Sequence, residues 1–292
     1  MLLLLLTMTV WGSTFVVTKG LIELWPPFTL ALARVGIGTL MLMPLAIARH
    51  RRGTRLPWGT IWAMGLLGVA LYYLTFNLAL VHISASQGAL VQASIPAMTA
   101  LVAVVWLRER ATMTRWLGIA LSISGVLIVF SGNAADPGQS TLLGNFLMST
   151  SVACWALYTA LAKRVAAFEP LVITVCVTGA GTLLLVPFCA YEIVSTGLQP
   201  LPFTGWLGVL YLGGMASGLA YLLYNTSLRH LDASAVGVYT NVIPIVGVLT
   251  GIVFLGEPLS LRAIVGGAVV MLGVWITSRS ERAERSPLRS AA

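Results

Sequence analysis

The sequence predicts an all-α polytopic membrane protein: ten transmembrane helices arranged as two inverted five-helix repeats around a central cavity. Three observations predict it. The 292 residues are 58% hydrophobic and only 9% charged, with mean hydropathy +0.92. The apolar residues fall into runs of bilayer-spanning length, and the first half of the chain is written again in the second. A soluble domain carries about 25% charged residues, so a water-exposed globule is excluded, and disorder fails for the same reason.

A helix needs roughly 20 apolar residues to cross the hydrocarbon core. Ten such runs, numbered here as spans 1 to 10, cover 2–22, 28–48, 58–80, 84–107, 114–131, 142–161, 171–191, 204–226, 233–255 and 261–278. The joints are short, and the longest (49–57, 132–141 and 192–203) are built from Arg, Gly, Pro, Asn and Asp, which are loop residues. No segment outside the membrane is long enough to fold. The opening Leu run lacks a basic n-region and a clean cleavage site, so it reads as span 1 and not as a signal peptide.

Lys and Arg set the orientation. With the N-terminus inside, the cytoplasmic side collects Arg49, Arg51, Arg52, Arg55, Arg108, Arg110, Arg115, Lys163, Arg164, Arg229, Arg279, Arg282, Arg285 and Arg289. The outer side has only Lys19 and Arg262. The net charge of +8 is therefore topology plus contact with the lipid bilayer, and no nucleic-acid partner is expected. Both termini lie in the cytoplasm, and 279–292 forms a basic tail. Cys154, Cys176 and Cys189 all lie in apolar runs, so neither a disulfide nor a metal site is proposed, and no cofactor is implied.

A shift of 148 residues superimposes Tyr73 on Tyr221, Asn77 on Asn225, His82 on His230, Ala85 on Ala233, Ser86 on Ser234, Pro96 on Pro244 and Glu109 on Glu257. A shift of 143–144 places Trp11 on Trp155, Lys19 on Lys163 and Pro27 on Pro170. Apolar chains match at Leu and Val by chance, but not at Trp, Asn, His, Pro and Glu. The chain thus divides into units 1–131 and 142–278. Five spans is an odd number, so the second copy enters from the opposite side. That architecture belongs to secondary transporters, whose sites lie near the midplane between the repeats.

Helices broken at corresponding positions point to such a site. Here they are spans 4 and 9, at Pro96 and Pro244; each proline leaves a carbonyl near Gln92 or Thr240 without its helical donor. Thr7, Trp11, Thr14 and Thr18 form one stripe on span 1, answered by Ser151, Trp155 and Tyr158 on span 6. Tyr73 and Asn77 share a face of span 3, repeated as Tyr221 and Asn225 on span 8. Gln87, Gln92 and Ser94, and Tyr239, Thr240 and Asn241, surround the two breaks. Walls of Trp, Tyr, Asn, Gln and Thr suit a small zwitterionic or neutral solute with some apolar surface, and could take an organic cation by cation–π contact.

No Asp or Glu is expected deep in a span, so neither a proton relay nor a sodium cage is assembled. Arg34 begins about 9 Å below the outer surface at 1.5 Å per residue and is expected to snorkel outward, leaving no arginine clamp for a diphosphate. Glu109 and Glu257 end spans 4 and 9, where a helix C-terminus is already negative. Each is therefore expected to pair with a cation: Arg108, Arg110 or Arg115 for one, Arg262 or Lys19 for the other. At opposite faces they could serve as gate latches or simple loop anchors. Thr112 and Ser260 are expected helix N-caps, His82 and His230 solvated joint residues. Gly118, Ser122, Gly125, Gly266, Gly267 and Gly273 are expected close-packing faces of spans 5 and 10.

Trp11-Gly12-Ser13-Thr14-Phe15, Leu32-Ala33-Arg34, Pro96 and the Glu109/Glu257 pair, each followed by a capped helix, resemble the EamA-type drug/metabolite transporter superfamily. The likeness extends to its exporters of aromatic and other amino acids, the YddG-like group. The resemblance implies a basket of ten helices, a cavity lined by spans 1, 3, 4, 6, 8 and 9, and export of a small-molecule substrate across a bacterial inner membrane. Val177 stands where a second Arg34 would be, so no symmetric arginine role carries over. Nucleotide sugars and drug-like cations are alternative substrates. A channel would be distinguished by flux that does not saturate. An embedded enzyme is disfavoured by the absence of DxxxD, HExxH and GxSxG. No protein partner can be inferred.

Overall fold

The computed structural model describes residues 2–50, 55–106, 108–109, 111–131, 141–230 and 239–289, with 2, 225, 228–230 and 281–289 described in backbone only. The roles expected of the Asn225 and His230 side chains, of Ala233 and Ser234, of the start of span 9 and of Arg51, Arg52, Arg110, Arg229, Arg282, Arg285 and Arg289 lie outside the described residues.

Every regular element among the described residues is helical. Apolar runs in lipid have no water to satisfy their amides, and a helix satisfies them within the segment. In order these are α1 (Leu2–Ile22), α2 (Pro27–Arg49), α3 (Trp58–Gly65), a π-helical turn (Leu66–Leu71) and α4 (Tyr72–His82). Then come α5 (Ala85–Gln92), α6 (Ile95–Val105), α7 (Met113–Phe130) and α8 (Leu142–Ala162), followed by α9 (Pro170–Thr196). The last are α10 (Phe203–Leu210), a second π-helical turn (Tyr211–Leu219), α11 (Ala220–His230), α12 (Val242–Leu255) and α13 (Leu261–Arg289). Among the described residues, eight helical stretches are long and apolar enough to cross a membrane. The 21-residue α8 and the shorter apolar helix α12 stand beside them.

Side chains set many of the boundaries. Ser84, Thr112, Thr141 and Ser260 accept from the amides of Gln87, Arg115, Gly144 and Ala263 at 3.0–3.3 Å, satisfying donors that a helix start leaves open. Pro27 and Pro170 open α2 and α9, where a missing N–H costs nothing. Two helices outrun their expected ends. α9 continues past 191 to Thr196, and α13 continues through the expected tail to Arg289.

Spans 3 and 8 are each an α-helix, a π turn and a second α-helix. A π turn shifts the register of the side chains that follow and recurs at functional sites. Span 4 is broken: α5 ends at Gln92, Ala93 and Ser94 turn, and α6 starts at Ile95 with Pro96 in its first turn. Span 9 has its turn at Asn241, with Pro244 in the first turn of α12. The prolines thus open the second segment of each span and do not kink a continuous helix.

The packing pairs read the same when the halves are exchanged. α2 lies against α9 and α7 against α13. α1 packs on α12 as α8 packs on α6, and α2 crosses the π turn of span 8 as α9 crosses the π turn of span 3. Glycines permit the closest crossings. A Cβ on Gly118 would lie 2.9 Å from the Gly273 carbonyl oxygen, and one on Gly125 2.8 Å from that of Gly266. This is the small-residue contact expected between spans 5 and 10.

Candidate functional site

The π turns and the breaks in spans 4 and 9 surround a cluster of aromatic rings contributed by both halves. Trp11 of α1 sits edge-on to Trp155 of α8 (centroids 6.0 Å) and Tyr221 of α11 (5.6 Å), and tilted against Tyr224 (5.0 Å). Trp155 in turn touches Tyr158 (5.0 Å), Tyr221 (5.9 Å) and Tyr72 of α4 (5.2 Å), and Tyr72 touches Tyr73 (4.9 Å). Tyr73, Tyr158 and Tyr221 are buried, while Trp11, Tyr72, Trp155 and Tyr224 keep part of their surface accessible although each packs among several helices. The Tyr221 hydroxyl is buried, with Tyr73 beside it.

The local backbone makes this arrangement possible. Gly68, in the first π turn, leaves the space into which the Tyr158 ring fits; a Cβ there would collide with the ring. In the second π turn the Ala216 carbonyl accepts the Trp11 indole N–H at 3.1 Å, and Tyr211 shares a 2.6 Å hydrogen bond with Ser13. At the break in span 4, Gln92 reaches the hydroxyls of Tyr72 and Ser151, each at 3.2 Å, tying spans 3, 4 and 6 together.

The structure brings Trp11, Tyr73, Gln92, Trp155, Tyr158 and Tyr221 together, and adds Tyr72, Tyr224, Ser13 and Tyr211, which the sequence reading missed. The 148-residue repeat could not point to Tyr72, because its counterpart is Ala220. Tyr239 packs with Leu4 and Met8, next to Trp11 and Tyr224, and Thr240 and Asn241 are half-buried at the turn of span 9. Thr14 bonds back to the Trp11 carbonyl at 2.6 Å, as isolated Thr residues in apolar helices do. Asn77 does not face the rings with solvent access: it is fully buried, and its Nδ2 donates to the Pro27 carbonyl at 2.8 Å, holding the start of α2.

Three charge expectations are corrected. Arg34 does not snorkel. It is 3% exposed and lies with its guanidinium 4.5 Å over the Tyr73 ring, because the crossing of α2 with the second π turn directs it inward. Glu192 falls inside the longer α9, is buried, and accepts from the amides of Phe28 (3.1 Å) and Thr29 (2.6 Å) and from the Thr29 hydroxyl (2.9 Å). A carboxylate at a helix N-terminus meets both the open amides and the positive end of the dipole, so this acid is spent on α2.

Glu257 forms no close ion pair with either expected cation, although Lys19 lies near enough to attract it. Its two oxygens accept from the backbone amides of Ala85 and Ser86 at 2.6 and 2.8 Å, at the N-terminus of α5. Lys19 donates to the carbonyls of Leu80 and Ile83 at the end of α4, and Arg262 to the carbonyl of Ser131. Glu109 does lie beside Arg115 (3.4 Å), as expected, and also beside Lys163 (3.5 Å). No group of three or more metal-ligating side chains occurs among the described residues.

Compared with known families, residues 1–131 and 142–279 match the EamA-like transporter family. A protein of Archaeoglobus fulgidus named "Uncharacterized transporter" is 29% identical over 282 residues, covering 95% of this chain and 98% of its own. A protein of Streptantibioticus cattleyicolor named "Probable terminal-alkyne amino-acid exporter" is 26% identical over 280 residues, covering 94% and 92%. A solved crystal structure with 20% identity superimposes with a TM-score of 0.67 over 97% of this chain and 98% of its own, a likeness of fold.

Proposed function

The chain belongs to the EamA-like transporter family, and from that premise we propose that it is a secondary transporter exporting amino acids, aromatic and other small ones, and related metabolites across a bacterial inner membrane by alternating access. Ten spans form two inverted units, 1–131 and 142–278, with both termini in the cytoplasm. The packing pairs that survive exchange of the halves support the repeat, and the basic joints support the orientation.

One observation carries the reading: Trp11 of the first unit meets Trp155, Tyr221 and Tyr224 of the second, at the level where spans 3, 4, 8 and 9 depart from regular α-helix. Irregular backbone at membrane depth is tolerated where it lines a cavity or is buried in protein. The accessible surface left on Trp11, Tyr72, Trp155 and Tyr224 supports a cavity. Aromatic walls bind an apolar side chain by area and an α-ammonium group by cation–π attraction. The amino-acid assignment also draws on the substrate in the name of the Streptantibioticus relative.

The test is counterflow in proteoliposomes. Preloaded methionine or tryptophan should drive saturable uptake of the labelled compound, and Trp155→Ala should reduce it at least about tenfold, the scale of a lost aromatic contact. Non-saturating flux would make the protein a channel. Exchange of nucleotide sugars or organic cations in place of amino acids would move the substrate class.

A further inference from the structure

We infer that Arg34 is the anchor for a substrate carboxylate, an assignment that rests on the cavity reading above and fixes the charge its substrate must carry. Arg34 is 3% exposed in the interior of α2 and forms no ion pair among the described residues. Its Nε donates to Ser217 Oγ at 3.4 Å and its Nη1 to Thr18 Oγ1 at 3.3 Å, both long, and Nη2 has no acceptor among the described residues. A cation taken out of water is expensive unless an anion and a full set of acceptors receive it. The face of Tyr73 offsets part of that cost.

The second half of the chain supplies an internal control. A Cβ on Gly213 would lie 3.1 Å from the Arg34 carbonyl oxygen, and one on Gly65 3.0 Å from that of Val177, so the same helix crossing is built twice. Around the second copy, Val177 replaces Arg34, Val69 replaces Ser217 and Ala162 replaces Thr18. These three lie in one apolar cluster. The scaffold closes this crossing without a cation, so Arg34 and its two hydroxyl partners are not a packing requirement.

Arg34 also stands at the edge of the ring cluster. Tyr73, under the guanidinium, touches Tyr72, which touches Trp155. A carboxylate on Nη2 would complete the fork with a charge-assisted bond. It would place the ammonium group and side chain of an amino acid toward the rings. The same charge repels an organic cation that has no carboxylate, which separates two substrate classes the sequence leaves open.

The experiment compares L-methionine with L-methioninamide, its carboxylate-free analogue, as competitors of labelled methionine counterflow in proteoliposomes of the full chain. Wild type should prefer methionine at least about tenfold, the scale of a charged hydrogen bond. Arg34→Gln and Arg34→Met should erase the preference, and Arg34→Lys should retain part of it. Equal competition by both compounds in wild type, or an intact preference in a monodisperse Arg34→Met protein, overturns the assignment while transport itself stands. A wild type that exchanges neither compound overturns the amino-acid reading and this inference with it. Should the Arg34 variants fail to fold, the wild-type comparison decides alone.

Discussion

Glu109 and Glu257 occupy equivalent helix ends and are held in different ways. Each follows a left-handed residue, Arg108 at φ 55° or Gly256 at φ 62°. Each donates its amide six residues back, Glu109 to the Ala103 carbonyl and Glu257 to that of Gly251, at 3.1 and 3.2 Å. The left-handed residue turns the chain back so that the next amide meets an open carbonyl of the helix end, one residue farther back than in a Schellman motif. The two carboxylates then diverge. Glu257 caps α5 through two short bonds to backbone amides, with Gly251 packed against Ser86. Glu109 is held by the side chains of Arg115 and Lys163, and is 36% exposed. One end is held by backbone amides, and the other by one buried and one exposed cation. The comparison teaches that a repeated sequence can rest in an asymmetric state, which is what the proposed alternating access calls for.

Glu257→Ala should have the largest effect. It strands two amides at the start of α5 and should cost about 3 kcal/mol, the scale of two charge-assisted bonds set against partial rescue by water. Thermal unfolding in detergent would read this as a clear fall in midpoint, and an unchanged midpoint would break the comparison. Gly251→Ala comes next, at roughly 1–3 kcal/mol for overpacking, because the new methyl group would run into Ser86 Oγ. If this contact serves the proposed alternating access as a gate latch, counterflow should slow in the same variant; if it is a loop anchor, the midpoint alone should fall. Glu109→Ala takes the carboxylate from the buried Arg115 and should cost about 1–2 kcal/mol, with high salt removing only the part owed to exposed Lys163. The smallest change is Arg108→Gly, which relieves a left-handed arginine and should raise the midpoint by about 0.5 kcal/mol equivalent. A destabilised Arg108→Gly protein would mean that its side chain matters more than its backbone.

The spans were legible because lipid imposes a length and a composition that survive in the sequence, and the caps at Thr112 and Ser260 were legible because a helix start has a local chemistry. The π turns were not, since one extra residue in a uniformly apolar run leaves no change of period to read. Arg34 was misread because depth along a helix says nothing of which side the residue faces; that depends on the crossing with the second π turn. Glu257 was assigned a cation because pairing arithmetic counts charged side chains, whereas its partners are backbone amides of a helix 172 residues away in the chain. Asn77 has the residue type of a cavity wall, and only the fold shows that the Pro27 carbonyl claims its amide.

The central claim is that the ring cluster borders a chamber open to one side of the membrane at a time. The direct test is Tyr224→Cys in a variant lacking Cys154, Cys176 and Cys189, oriented in proteoliposomes and treated with a membrane-impermeant maleimide from either side. Labelling from one side alone without substrate, and from the other side as well once methionine is supplied, is the predicted result. Equal labelling from both sides under all conditions would describe a pore, and labelling from neither would describe a packed core; either contradicts the account.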